Sequence, residues 1–254
     1  MIDGGKLMKL YKYCTVNEYT LKNLKQNELY FNRVNRVNDP YEGIHKFNIK
    51  KELELDFIKL IYQHRYDEKL FSTMPNKDIL QQIVHDGANS FLQDSGLSCF
   101  SETNESLVMW GNYADNQQGM CVEYDKDIGI FTHAEKVTYS NDVFTIRINK
   151  PSQLTELDMM KAGAGCLYNK HRQWKYEKEW RIIFKPSESF QYPPEAITGI
   201  YFGLRISEED KIKVYEATKH LKHLKYYIPD IYPDRYKMTH KEIKFKSNLL
   251  KMKS

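Results

Sequence analysis

The sequence predicts a single α+β domain built around a split sheet, mixed or mostly antiparallel. Strand-like runs with apolar residues at alternate positions are scattered along the whole chain. Helical patterns interrupt these runs without regular alternation. No repeat, low-complexity linker or shift of composition divides the 254 residues, a length able to bury one large core. Residues 1–254 are therefore read as one unit, with a helical insertion over about 51–92 and a basic tail over about 238–254.

The elements follow in order. Leu7 to Tyr13 alternates and carries two tyrosines, which predicts a first strand with Lys12 facing away from Tyr11 and Tyr13. Thr15 followed by Glu18 is a capping-box signature and opens a helix. Leu29-Tyr-Phe31 is a short strand, and the stretch through Asn38-Asp-Pro-Tyr-Glu-Gly43 is a turn, because Pro40 keeps Asp39 out of the helical region. Residues 51–71 and 77–92 carry helical periodicity, the second capped by Asn76. Leu97 to Ser101 is a strand, Ser106 to Ala114 a short helix, and Gly119 to Tyr124 another strand. Further strands are expected near 135–139 and 143–148, then a helix over 154–168 that Gly163 and Gly165 weaken. Beyond the strand from Glu179, Ile197 to Gly203 reads as a buried strand, Ser207 opens a helix to about 222, and His223 to Ile228 is a last strand.

The strand Glu179-Trp-Arg-Ile-Ile-Phe184 carries most of the information. Trp180, Ile182 and Phe184 share one face, a core signal, while Glu179, Arg181 and Ile183 share the other. Glu177 is in phase with that second face. A charged face on so apolar a strand is either the solvent side of a sheet or the floor of a polar cleft.

Composition narrows the function classes. The chain is 41% hydrophobic and 28% charged, with no apolar run that would span a bilayer, so no membrane partner is expected. Its start lacks the basic-then-apolar pattern of a secretory signal. The four cysteines lie far apart without a Cys-x-x-Cys pair, and a reduced, cytoplasmic protein is expected. A net charge of +4 and nineteen tyrosines permit a nucleic-acid partner without demanding one. Phosphate-loop, dinucleotide-binding and nucleophile-elbow motifs are absent from the sequence. His220-x-x-His223 straddles a predicted helix end with no companion carboxylate or thiol pair, so no metal is assigned.

Several stretches occur together in one order: Leu10-Tyr-Lys-Tyr13, Leu29-Tyr-Phe31, Asn38-Asp-Pro-Tyr-Glu42, Cys99-Phe-Ser101, Met109-Trp-x-x-Tyr-Ala114 and Tyr176-Glu-Lys-Glu-Trp-Arg181. This ordered set resembles a bacterial family catalogued as domain of unknown function twenty-nine seventy-one, over about residues 7 to 225. That family name states no activity.

The order of elements also resembles the ADP-ribosyltransferase fold, whose members take NAD as substrate. Lys12 stands where those enzymes more usually carry His or Arg on the first strand, and lysine cannot make the same planar contacts. Phe100-Ser101 and the helix to Tyr113 match the wall beside the nicotinamide. Glu177-Lys-Glu179 is similar to the Glu/Gln-x-Glu arrangement of transferases acting on protein side chains. The second-strand Ser-Thr-Ser motif is not placed. The resemblance implies a sheet of ADP-ribosyltransferase-like type, with Glu179 as the catalytic carboxylate and Glu177 activating the acceptor. It assigns Lys12, Tyr13, Asn38, Asp39, Ser101, Tyr113 and Arg181 to NAD, with Tyr13 at the rim. It further implies a toxin or anti-phage effector acting on nucleic acid or protein, with an antitoxin or regulatory protein as partner. The alternative is a non-catalytic nucleotide- or partner-binding module of the same fold, in which Arg181 and the glutamates form a structural network.

Overall fold

The computed structural model describes residues 8–49, 76–149, 155–184, 186, 188–232, 234 and 238–245. In chain order the strands are β1 (Lys9–Cys14), β2 (Glu28–Tyr30), β3 (Asn32–Arg33), β4 (His45–Ile49), β5 (Gly96–Ser101), β6 (Met120–Asp125), β7 (Glu135–Lys136) and β8 (Thr138–Ser140). They continue with β9 (Phe144–Ile148), β10 (Asn169–His171), β11 (Glu179–Phe184), β12 (Ser189–Gln191), β13 (Ile197–Phe202), β14 (Lys225–Ile231) and β15 (Met238–Ile243). The α-helices are α1 (Glu18–Gln26), α2 (Asn76–Gln93), α3 (Leu107–Tyr113), α4 (Glu156–Leu167) and α5 (Glu208–Thr218).

The principal sheet has nine strands among the described residues, in the order β15-β14-β13-β6-β1-β5-β11-β7, with β3 added beside β5. It is mixed: β13 and β14 run parallel, and its other pairings are antiparallel. The mixed, mostly antiparallel α+β expectation therefore holds. β11 lies inside the sheet, paired over six residues with β5 and at Trp180 and Arg181 with β7.

One pairing is incomplete, and it creates the candidate site. β1 matches β6 residue for residue from Lys9↔Asp125 to Cys14↔Met120. Against β5 it makes only Tyr11↔Ser101 before the strands part. At the other end of the same edge, β3 closes on β5 through Asn32↔Leu97 and Arg33↔Gly96. Between those two contacts the edge of β5 from Ser98 to Phe100 faces an opening in the sheet.

Each face of the sheet buries its own core. Leu10, Phe100, Val122, Ile182 and Ile200 pack with Leu24 of α1 and Val214 of α5, and Trp180 and Phe184 lie partly buried against them. The apolar face predicted for β11 is thus the core face; burying one such side chain is worth about 1.5–3 kcal/mol. Tyr13, Met109, Trp110, Ala114, Cys121 and Tyr201 pack on the opposite face, under α3. The chain leaving α3 holds Asp115, Asn116 and Gln117 at positive φ, and Gln117 approaches β13 so closely that a Cβ on Gly203 would lie 2.2 Å from the Gln117 carbonyl oxygen. This contact fixes the C-terminal end of α3, and with it Tyr113.

Two expectations are corrected, and part of a third lies outside the described residues. Helix α1 is capped by Asn17, which accepts from the Thr20 N–H at 2.9 Å, and not by Thr15, whose hydroxyl instead takes a bond from the Asn17 amide. An Asx side chain two residues closer to the first turn has the better reach. The stretch read as a tail from Met238 forms β15, pairing with β14 over Tyr226↔Ile243 to Ile231↔Met238. Its Met-Thr-His-Lys-Glu-Ile run has apolar residues only at its two ends, five apart, and so gives no period-two signal. Of the helical insertion, 76–93 forms α2 packed on α4, while 51–71 lies outside the described residues.

Candidate functional site

Lys12, Tyr13, Asn38, Ser101, Tyr113, Glu177, Glu179 and Arg181 all line one cleft of about 420 Å³ at the opening in the sheet. A second cavity of about 750 Å³ lies beside it, and Lys12, Cys14, Asn32 and Arg36 belong to the walls of both.

The glutamates reach the cleft by a sharp local turn. A 3₁₀ turn over Arg172–Glu177 ends at Lys178, whose φ of 47° places it in the left-handed region, a conformation a lysine adopts at a cost. Two bonds hold it: the Ser101 hydroxyl donates to the Glu177 carbonyl at 2.7 Å, and the Glu102 N–H donates to the Lys178 carbonyl at 3.1 Å. The turn brings the Glu177 and Glu179 carboxylates onto one cation. Lys170 Nζ donates to Glu177 Oε2 at 2.5 Å and to Glu179 Oε2 at 2.9 Å. Its ammonium also lies 4.9 Å from the centre of the Trp174 ring.

Behind this pair stands Arg181, only 1% exposed. Its Nε donates to Glu179 Oε1 at 2.6 Å and one terminal nitrogen to Glu179 Oε2 at 3.1 Å. The terminal nitrogens also grip both oxygens of Glu42, at 2.6 and 2.9 Å, and one donates to the Leu167 carbonyl. Every N–H of the guanidinium is thereby used. On the cleft side the Tyr113 hydroxyl donates to Glu177 Oε1 and itself accepts from the Asn38 amide.

Two cations and three carboxylates share this buried space, so the charges do not cancel. Burial alone would raise the Glu179 carboxyl, but Arg181 and then Lys170 outweigh it and hold it at about 2. Glu177 moves the other way: burial raises it, despite the opposing pull of Lys170 and the Tyr113 hydroxyl. Burial likewise raises Glu42 in spite of Arg181. Lys170 is pushed upward, because Glu179 and Glu177 overcome its own burial. The result is a carboxylate, Glu179, held well below the usual carboxylate range beside a second, Glu177, that bears a hydroxyl partner and takes a proton more readily.

The geometry revises several assignments. Glu179 does not border solvent: it is 4% exposed, and its backbone N–H donates to the Tyr139 hydroxyl at 2.8 Å. The charged face of β11 is the floor of a polar cleft. Arg181 has no donor left for a ligand and acts as the clamp on Glu179. Asp39 turns inward, accepting from the Tyr41 N–H at 2.9 Å, and its carboxylate serves the turn. Tyr13, 8% exposed, donates to the Thr103 carbonyl at 2.9 Å and packs edge-on against Trp110, so it supports the wall below α3. Lys12, Ser101, Asn38, Tyr113 and Glu177 line the cleft wall, with Ser101 and Glu177 as fully buried as Glu179. Sequence reasoning missed Lys170 and Glu42. The first read as one charge of a basic loop and the second as part of a turn; the surplus of glutamates over the single Arg181 was the available hint.

No curated protein and no solved structure matches the chain. Residues 109–182, from α3 through β11 and thus including Tyr113, Lys170, Glu177, Glu179 and Arg181, match the family described as protein of unknown function (DUF2971), and it is this family that the central part of the chain resembles.

Proposed function

We propose that the protein is an ADP-ribosyltransferase-like enzyme that cleaves NAD at the nicotinamide–ribose bond and passes ADP-ribose to a nucleic-acid or protein acceptor, in the manner of a toxin or defence effector. The observation that carries the reading is the pair Glu177 and Glu179, held on Lys170 in the wall of a cleft where the sheet opens. Loss of nicotinamide leaves an oxocarbenium-like ribose, and fixed negative charge beside it lowers the barrier most when it is preorganised. Glu179 supplies such charge from behind. Glu177 reaches the cleft through its bond from the Tyr113 hydroxyl, although at 2% exposed it is as buried as Glu179. The residues present suit a nucleotide: the cleft and its neighbour fall within the few-hundred to thousand Å³ range of small-molecule sites. Asn38, Tyr113 and Ser101 offer polar contacts around the carboxylates.

A second reading has its own support. Arg181 is fully used by Glu179, Glu42 and the Leu167 carbonyl, as the members of a structural network are, which favours a module that binds a nucleotide or partner without turnover. Incubation with NAD, with and without cell lysate and RNA, separates the two. Nicotinamide release that falls at least about a hundredfold in Glu177→Gln supports the enzyme. NAD binding without release supports the module, and neither binding nor release ends both.

A further inference from the structure

The cleft holds two lysines in contrasting surroundings. Lys170 is locked as an ammonium by two carboxylates. Lys12 leaves β1 at the opening in the sheet, and its Nζ donates to the Ser98 hydroxyl at 2.9 Å and to the Cys99 carbonyl at 3.2 Å, both neutral acceptors. No carboxylate among the described residues forms a salt bridge with it. Two donated bonds are what an uncharged amine can make, and they leave its lone pair free. The Phe100 ring, its centre 5.1 Å from Nζ, offers the ammonium only a weak cation–π attraction in place of a counterion.

The surroundings shift the balance in the same direction. Burial lowers the Lys12 pKa, against weaker opposing pulls from Cys99 on β5, Cys14 on its own strand and Glu179 on β11. A desolvated lysine without a counterion is the form in which this side chain acts as a nucleophile. The adjoining cavity of about 750 Å³ carries Lys22 and Arg36 as well as Lys12 against one carboxylate, Glu28, so it suits an anionic group. The cleft on the other side carries the Tyr113 hydroxyl, hydrogen-bonded to the Glu177 carboxylate.

We propose that Lys12 is a reactive amine that captures the carbonyl carbon of a small phosphorylated aldehyde as an imine, with the phosphate held on the Arg36 and Lys22 side. The Nζ lone pair forms the C–N bond while the C=O π pair moves to oxygen, and one N–H proton passes through solvent from nitrogen to that oxygen, giving a carbinolamine. The carbinolamine hydroxyl then leaves as water while the nitrogen lone pair forms the C=N bond and the second N–H proton passes through solvent to the departing oxygen. Overall, amine and aldehyde become imine and water with no change of oxidation state. This activity is independent of NAD cleavage.

The test treats the full chain with pyridoxal 5′-phosphate at about neutral pH, reduces with borohydride and maps the labelled peptides. Label on Lys12 should exceed that on any exposed lysine by about tenfold. Pyridoxal without its phosphate should label Lys12 less, and Arg36→Gln should narrow that difference. Lys12→Arg keeps the charge and donors and should abolish the excess label. Label spread evenly over exposed lysines would overturn the proposal even without a stable variant, and equal labelling by pyridoxal would overturn the phosphate assignment.

Discussion

Glu42 and Arg181, 139 residues apart in sequence, meet in a two-pronged ion pair at 2.6 and 2.9 Å with both side chains almost wholly buried. The pair fastens the turn that carries Asn38 to the strand that carries Glu179. A single guanidinium thus sets the position of two walls of the cleft. Buried ion pairs recover their desolvation cost only when geometry is this complete, and removing one partner strands the other.

Arg181→Met should therefore cost about 3–5 kcal/mol, because Glu42 and Glu179 lose their common partner. Arg181→Lys should restore only part of this, since an ammonium cannot fork across two carboxylates. Urea denaturation of both variants measures it. A loss below about 1 kcal/mol in Arg181→Met would mean that the network does not hold the fold.

The two glutamates should respond differently to neutralisation. Glu179→Gln breaks bonds to Arg181 and Lys170 in a buried site, so its stability should fall by several kcal/mol, on the order of a broken buried pair. Had its side chain bordered solvent, about 1 kcal/mol would have been expected. Glu177→Gln keeps acceptors for Tyr113 and leaves Lys170 with Glu179, so it should fold with a smaller loss while nicotinamide release drops about a hundredfold. Equal destabilisation with activity tracking only the folded fraction would count against a catalytic Glu177.

Tyr113→Phe removes the hydroxyl that favours the charged form of Glu177. The variant should lose only about 1 kcal/mol of stability. Glu177 would then protonate at higher pH, and the acidic limb of the pH profile for nicotinamide release should move upward. An unmoved limb would show that Glu177 ionisation does not govern the reaction.

Acid stability should fall in two separate windows. His240 sits between Trp110 and Tyr201, its Nε2 buried without a partner, and burial lowers its pKa to about 4. A histidine lowered from about 6.5 stabilises the fold while neutral, so its contribution is present above that value and is lost as pH falls towards 4. Glu179 lies lower, at about 2 against an unfolded value of about 4.3, so its contribution is present above about 4.3 and disappears as pH falls towards 2. Melting temperatures of wild type and His240→Gln between about pH 7 and 4 should converge on acidification. Parallel curves would remove His240 from the account.

Local chemistry was enough to find most of the elements. Period-two patterning located β1, β5, β6, β11 and β13, because alternate side chains must leave a strand on opposite faces whatever it pairs with. The same patterning put Trp180, Ile182 and Phe184 on one face, and that face is the core. Asn38-Asp-Pro-Tyr predicted its turn through Pro40 and the Asp39 carboxylate, which bonds back to the Tyr41 N–H. The pattern failed at β15, an edge strand with apolar residues only at its two ends.

What the opposite face of β11 meets was decided only in three dimensions. A period of two separates faces but does not say whether a charged face meets water or other charges, and Glu42 and Lys170 arrive there from elements far from or looped away from the strand. Nor does local preference dictate that β1 pairs fully with β6 and touches β5 at one residue pair. Pairing register is a long-range property, set by which hydrophobic faces must share a core. The sequence by itself determined the residues able to line a polar cleft; the parting of β1 from β5 made the cleft, and the filling of every Arg181 N–H settled which of those residues clamp and which face the opening.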